Sequence, residues 1–361
     1  MLRTPLCDWH HSHSGRMVDF AGWEMPVQYS SIVDEHNAVR QRAGLFDIAH
    51  MGRVFFTGPD AMSFLNHLLT NDVTQLKIGQ VRYSLICNRG GGILDDVLIY
   101  RLEHGTYMLV VNASNREKIL KWIEHHLMGY TLSAVDETRS RSMLALQGPQ
   151  SLAILQPLAD ADLGGMKYYS ARSCRVAGAD AIVSRTGYTG EDGYEVIVEN
   201  GDTVPVWDNI ISAGQAHGLV PCGLGCRDTL RLEAAMPLYG HEMDERTDPC
   251  TAGLMFGVKL QKGDFIGRAS IAHAASDTSL PRRVGLELVG RRIAREGSLL
   301  FSEDEQVGRV TSGTFSPTLQ KSIAMGYLPT QLASAGNRIE VDIRGKRESA
   351  KVVPLPFYKR S

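Results

Sequence analysis

Apolar residues gather in several short runs, each closed by glycine or a polar turn, which is the pattern of strands. Such runs predict strands at Arg53 to Thr57, Val81 to Asn88, Ile93 to Tyr100, Tyr107 to Asn112 and Met143 to Gln147, and a hairpin over Ala181 to Glu199 around the glycine-rich stretch Arg185 to Gly193. Elsewhere the spacing is helical: Ile32 to Ala43 with Gly44 as its stop, Gly58-Pro59-Asp60 through Leu69, Asn115 to Leu127, Gln150 to Leu158, and Thr229 to Ala235. A strand, a Gly-Pro break and a helix occur at Arg53 to Leu69 and again at Met143 to Leu158, which hints at two related half-units. Without strict β-α-β alternation the fold class is α+β. Beyond the composition shift at Ala274 to Pro281 come short strands at Val284 to Val289, Gln306 to Thr311, Ala324 to Leu328, Arg338 to Ile343 and Ala350 to Val353, a pattern that predicts a small antiparallel barrel or sandwich. Met17 to Tyr29, aromatic and broken by glycine, reads as a packed irregular segment.

Charged residues interrupt this pattern in three places. Gly90-Gly91-Gly92 leads into Ile93-Leu94-Asp95-Asp96-Val97-Leu98-Ile99-Tyr100, so that Asp95 shares a strand face with Ile93, Val97 and Ile99, and Asp96 with Leu94, Leu98 and Tyr100. A carboxylate in such company needs hydrogen-bonding partners, a cationic ligand or a proton whose exchange matters. The alternative is that both aspartates cap amides of the turn. Glu195 shares a face with Ile197 beside the glycine-rich loop, where a flat ligand can approach the backbone, or else pairs across the hairpin with Arg185. Gly223-Leu224-Gly225-Cys226-Arg227-Asp228 precedes a helix; Arg227 there can present a planar fork to a heterocycle, or pair with Asp228 or Glu233. The dinucleotide fingerprint is not met: the third glycine is missing and Leu219-Val220-Pro221 makes a poor parallel strand.

Composition narrows the partners. With 361 residues, a net charge of -2 and 38 basic against 40 acidic residues, nothing points to nucleic acid or a membrane surface. The six cysteines are scattered without a C-x-x-C pair, which suits reduced thiols in the cytoplasm, and Cys222 and Cys226 lack the company a zinc site needs, so no metal is expected. His10, His11 and His13 read as surface histidines. The N-terminus has no leader pattern, and no apolar run approaches the ~20 residues of a bilayer span.

Five motifs in order, Asp19 to Pro26, Phe46 to Gly52, Gly91 to Asp96, Gly187 to Glu195 and Cys222 to Glu233, resemble the aminomethyltransferase of the glycine cleavage system, the T-protein family, and the resemblance continues through Gly263 to Gly267 and Leu355 to Tyr358. It implies three sub-domains in a cloverleaf around a central folate cavity: 1–52 with 137–245, 53–136 with 246–275, and a C-terminal antiparallel β-barrel over 281–361, the first two together forming a folate-binding region over 1–275. It implies transfer of a carbon from the aminomethylated dihydrolipoyl arm of H-protein to tetrahydrofolate, giving methylenetetrahydrofolate and ammonia. By family position Asp96 is the acid at the reacting carbon, where a carboxylate can orient the nucleophile and stabilise a cationic iminium. Glu195 grips the aminopyrimidine edge of the pterin, Arg227 binds the same ring, and Met51, Tyr83, Tyr100 and Tyr188 line the cavity, with Asn112, Arg292 and Tyr358 as further folate contacts. Ala49, Thr251 and Phe256 stand where the family commonly has serine, glutamate and tryptophan. The alternatives are a folate-dependent demethylase of a methylated amine or sulfonium, and a folate-binding accessory protein without turnover.

Overall fold

Two β-sheets stacked face to face precede a barrel in the computed structural model, which describes residues 1–360. The first sheet is antiparallel throughout, in the order Val81–Cys87, Ile93–Glu103, Thr106–Val111, Gly52–Thr57, Ser133–Asp136. The second runs Ala171–Val176, Ala179–Ser184, Gly193–Glu199, Arg141–Gln147, Gly44–Asp47, Val220–Cys222. On the outer face of the first sheet, helix Ala61–Leu68 buries Ala61, Phe64, Leu65 and Leu68 against Val54, Phe56, Ile99 and Leu109. This is the i, i+3, i+4, i+7 stripe of a core-facing helix, and each large side chain in it contributes about 1.5–3 kcal/mol of burial. On the inner face Val81, Tyr100, Met108 and Val110 meet Met143, Ala145, Ile182 and Ile197 of the second sheet. Strands covered on both sides must be apolar on both, and that is why ionisable side chains among them stand out.

The two half-units hinted at by the repeated Gly-Pro break are present. Gly58 and Gly148 both take positive φ, +132° and +122°, conformations that favour glycine. Each break opens a short helix, and in each half the following strands, Val81–Cys87 and Ala171–Val176, begin at the same point of the pattern. There the halves join reciprocally: Val81 N donates to Tyr169 O at 2.9 Å and Ala171 N to Gly79 O at 2.8 Å. Tyr100 and Ser184, which oppose Val81 and Ala171 in their own sheets, meet across this local two-fold, with their hydroxyl oxygens 3.3 Å apart.

Several expectations need correcting. Met17 to Tyr29 is a hairpin, Arg16–Phe20 against Trp23–Gln28, turned by Ala21 and Gly22, both at positive φ, as a tight hairpin turn requires. Val220–Cys222 does form a parallel strand, beside Gly44–Asp47. Its helix begins at Leu224, so Arg227 lies inside the helix. His10 is fully buried: its Nε2 is 3.0 Å from Asp47 Oδ2 and its Nδ1 is 2.7 Å from the Tyr29 hydroxyl.

The C-terminal strands close an antiparallel barrel in the order Arg282–Leu288, Lys321–Leu328, Glu305–Ser316, Leu299–Ser302, Arg338–Asp342, Arg347–Val353; the short strand Leu299–Ser302 had no expectation. Helix Leu224–Glu233 joins barrel to sheets through buried polar groups. Arg231 donates to Glu242 at 2.7 Å and to Ser312 at 2.9 Å, and Glu233 accepts from the Thr318 hydroxyl at 2.8 Å and from Arg40 Nη2 at 2.8 Å.

Candidate active site

A cavity of about 780 Å³ lies where the two sheets, helix Leu224–Glu233 and the barrel meet, within the range of small-molecule sites. Its walls include Met51, Tyr83, Asp96, Asn112, Tyr188, Glu195 and Arg227, so seven of the ten residues expected at a site face one space.

Asp96 reaches it because of strand alternation. From Asp95 onward, Asp95, Val97 and Ile99 point to the helix-covered side, while Asp96, Leu98 and Tyr100 point to the inner side. Before that the rule breaks: the pairing with Val81–Cys87 shifts between Ile86 and Cys87, and Leu94 turns outward with Val97. Asp96 accepts from the Tyr83 hydroxyl at 3.1 Å and from Asn112 Nδ2 at 2.8 Å. Burial, opposed by these hydrogen bonds and by Arg283, holds its carboxyl above the usual carboxylate range. The turn-capping alternative is excluded for both aspartates, since their partners lie on Asn112, Asn115 and Tyr83 and not in the glycine turn.

Glu195 is 5 % exposed and takes a short hydrogen bond from the Thr186 hydroxyl, which is joined to Ser184 and through it to Tyr100. Burial raises its pKa, while Thr186 and Arg227 pull it back. The Arg185 pairing does not form: Arg185 binds Asp192, with Nε donating at 2.9 Å. Arg227 has neither of its other candidate partners, since Asp228 pairs with Arg231 and Glu233 with Arg40. Its guanidinium lies over the Tyr188 ring, 4.9 Å from the centroid, and its Nη1 is buried with no hydrogen-bond acceptor. A desolvated N–H costs about 1–3 kcal/mol while unpaired, so this is a donor set for a ligand acceptor. Gly187 also lines the cavity, but what forbids a side chain there is Gln147, whose Oε1 would lie 2.0 Å from a Cβ.

Three expected residues are not on the wall. Tyr100 is fully buried one layer behind Glu195, filling the space between the sheets. Arg292 stays at the hydrated surface of the barrel, where it pairs with Glu348 at 3.3 Å. Tyr358 covers Arg40, with the guanidinium 4.0 Å from its ring centroid, and its backbone N–H donates to Glu233 O at 2.8 Å. Conversely, His50 and Arg283 line the cavity without having been assigned a role. His50 lies inside a quoted motif, which was a usable signal, whereas Arg283 sits on the first barrel strand and only the fold brings it near. Phe256, 65 % exposed, stacks on Tyr83 at the cavity mouth, with ring centroids 5.2 Å apart.

Two groups of potential metal ligands, Cys7-His11-Glu24 and Glu35-Cys222-Cys226, bring their atoms within 4.8 Å of one another. In both, the carboxylate is already engaged: Glu24 by Arg3 and His11, Glu35 by the backbone N–H groups of Tyr29, Ser30 and Gly223. The six cysteines are free thiols, and among the described residues no helix is long and apolar enough to cross a membrane.

The sequence matches the GCVT N-terminal domain over residues 6–262 and the glycine cleavage T-protein C-terminal barrel domain over residues 282–359. It is 48% identical over 365 residues to the aminomethyltransferase of Streptomyces coelicolor, covering all of this chain and 98% of that one. With the aminomethyltransferase of a Geobacillus species it shares 45% identity over 363 residues and the whole of both chains. The crystal structure of glycine cleavage system aminomethyltransferase T from Bartonella henselae superposes with a TM-score of 0.93 at 34% identity, over 99% of this chain and 98% of the other.

Proposed function

Because the chain belongs to the glycine cleavage T-protein family of aminomethyltransferases, we propose that its cavity is where an aminomethyl carbon passes to tetrahydrofolate, with Asp96 at the reacting carbon. The observation that carries the assignment is the opposition, across one cavity, of a partly open carboxylate, Asp96, to a buried carboxylate and a cation with an unused donor, Glu195 and Arg227. A pterin suits that pair. Its adjacent N–H groups match the two acceptor oxygens of Glu195, and its ring acceptors match Arg227 Nη1. Met51, Tyr188 and Tyr83 supply the apolar and aromatic walls that a flat ring system takes.

The carbon donor is the aminomethylated dihydrolipoyl arm of H-protein, and the products are methylenetetrahydrofolate, ammonia and the reduced arm. The Asp96 carboxylate stabilises positive charge as it develops at the carbon in transfer, and the dry walls strengthen that effect. Tyr83 and Asn112 hold its two oxygens, so its orientation is set before substrate arrives. Proton delivery to the departing amine is a second task within reach of the same carboxylate. The division into a folate-binding region over 1–275 and a barrel over 281–361 is supported by the first barrel strand beginning at Arg282. A cytoplasmic setting is consistent with six free thiols.

The test is ammonia release from aminomethylated H-protein with and without tetrahydrofolate, in the parent and in Asp96→Asn. Turnover should fall by about 10²–10³-fold, with folate affinity kept within about twofold. Unchanged turnover would sink the assignment of Asp96.

A further inference from the structure

Asp95, on the reverse side of the strand from Asp96, is fully buried and accepts three N–H donors: Asn112 N at 3.0 Å, Asn112 Nδ2 at 2.8 Å and Asn115 Nδ2 at 2.6 Å. The same Asn112 Nδ2 donates to Asp96 Oδ1 at 2.8 Å and to its carbonyl at 3.1 Å, so one side-chain amide spans both carboxylates. All the hydrogen-bond donors to Asp95 are neutral amides. A buried carboxylate without a cation costs several kcal/mol, and a neutral acceptor at position 95 would satisfy part of the same donor set at less cost. A buried acid kept there therefore calls for a use.

We propose that Asp95 is a positioning residue for the carbon transfer: by holding the Asn112 amide it aims the Asp96 carboxylate into the cavity. The inference rests on the assignment of Asp96 to the reacting carbon. Other groups face the pair from every side. Tyr83 donates from the neighbouring strand, Arg283 faces Asp96 from the barrel, and Tyr169 and Tyr188 approach it from the second half-unit. Tyr239 faces Asp95 and is itself bonded to Lys118 at 2.8 Å. Arg283 is the one cation among the named neighbours of Asp96, and it opposes the rise in proton affinity that burial causes. Burial and then the charge of Asp96 raise Asp95 above the usual carboxylate range as well. Two carboxyls sharing an amide release their protons in two steps that belong to the pair.

Two measurements on the full chain test this. In Asp95→Ala, which leaves the Asn112 amide without its anchor, kcat for ammonia release should fall by about tenfold, and Asp95→Asn, which keeps one acceptor oxygen, should recover part of that loss. KM for tetrahydrofolate should stay within about twofold, since Asp95 does not reach the cavity. In the parent protein, ¹³C NMR of carboxyl-labelled aspartate should show two linked titrations above the ordinary range, a readout that needs no variant to fold. Unchanged kcat in Asp95→Ala, or independent single-step titrations in the parent, overturns the proposal. Full activity in Asp96→Asn would instead remove the premise; an inactive Asp96→Asn beside a fully active Asp95→Ala defeats this inference alone.

Discussion

Burial holds the His50 imidazole far below its ordinary range, at about 3, and the Arg227 guanidinium adds to the effect. A histidine of ordinary pKa in the unfolded chain therefore binds a proton below about pH 6.5 that the folded chain refuses. Unfolded protein takes up more protons in that window, so this residue makes the fold less stable as pH falls from about 6.5 toward 3, by about 1.4 kcal/mol per unit. Asp95, Asp96 and Glu195 act in the opposite sense. Their folded pKa values are raised, so the folded chain holds the extra proton and acidification favours folding until the unfolded carboxyls protonate too. In His50→Gln the variant should gain on the parent by about 1.4 kcal/mol per pH unit below about pH 6.5, read from urea melts at several pH values. Parallel curves for the two proteins would show that His50 is not held neutral. Much of this was open to a reader of the sequence: period-two alternation separates Asp95 from Asp96, and an acid among valines and isoleucines at Glu195 is conspicuous. The burial of His10 was not, because its partners Asp47 and Tyr29 lie far along the chain and local polarity around it suggests a surface.

At the level of elements, the aspartate strand is set in place by its leading turn. Asn88 Oδ1 accepts from Gly92 N at 3.0 Å, Asn88 Nδ2 donates to Glu245 O at 3.0 Å, and Ile93 N donates to Thr247 O at 3.1 Å. A Cβ on Gly92 would lie 1.8 Å from Glu245 O, so the glycine is required by close approach of another backbone. Gly92→Ala should cost about 1–3 kcal/mol in urea melts and lower kcat, because the displaced turn carries the strand with it. Gly90→Ala, whose Cβ meets only Asn88 Oδ1 at 3.2 Å, should be mild in both respects. If the two variants behave alike, the packing against Glu245 is not what fixes the turn. Periodicity located most of these elements but misplaced the start of helix Leu224–Glu233. Its first turn, Leu224-Gly225-Cys226, contains a glycine and looks like loop; tertiary packing overrides that propensity, with Gly225 pressed against Ile32 and Val27.

For the whole molecule, the order of motifs was readable but the closure of the cavity was not, since Arg283 reaches it only once the barrel is docked. That docking depends on Arg231 and Glu242, whose side chains are 2% and 0% exposed. Arg231→Met leaves Glu242 buried without its counter-charge and should cost about 3–5 kcal/mol. Arg231→Met combined with Glu242→Leu should recover most of the loss in the same melts. A double variant as unstable as the single one would mean that the pair contributes a net attraction well beyond its own desolvation. The local two-fold between the sheets bears on the cavity as well. The strand positions that correspond to Asp96 and Glu195 in the opposite halves are Asp180, which is at the surface beside Arg175, and Met108, which is buried. Had the halves been separate identical polypeptides, each substitution would have been copied onto both sides of the axis, and a glutamate in one half matched by a methionine in the other would have been out of reach. Joined in one chain, the two halves carry different side chains at matched positions, so the cavity receives Asp96 from one half and Glu195 from the other.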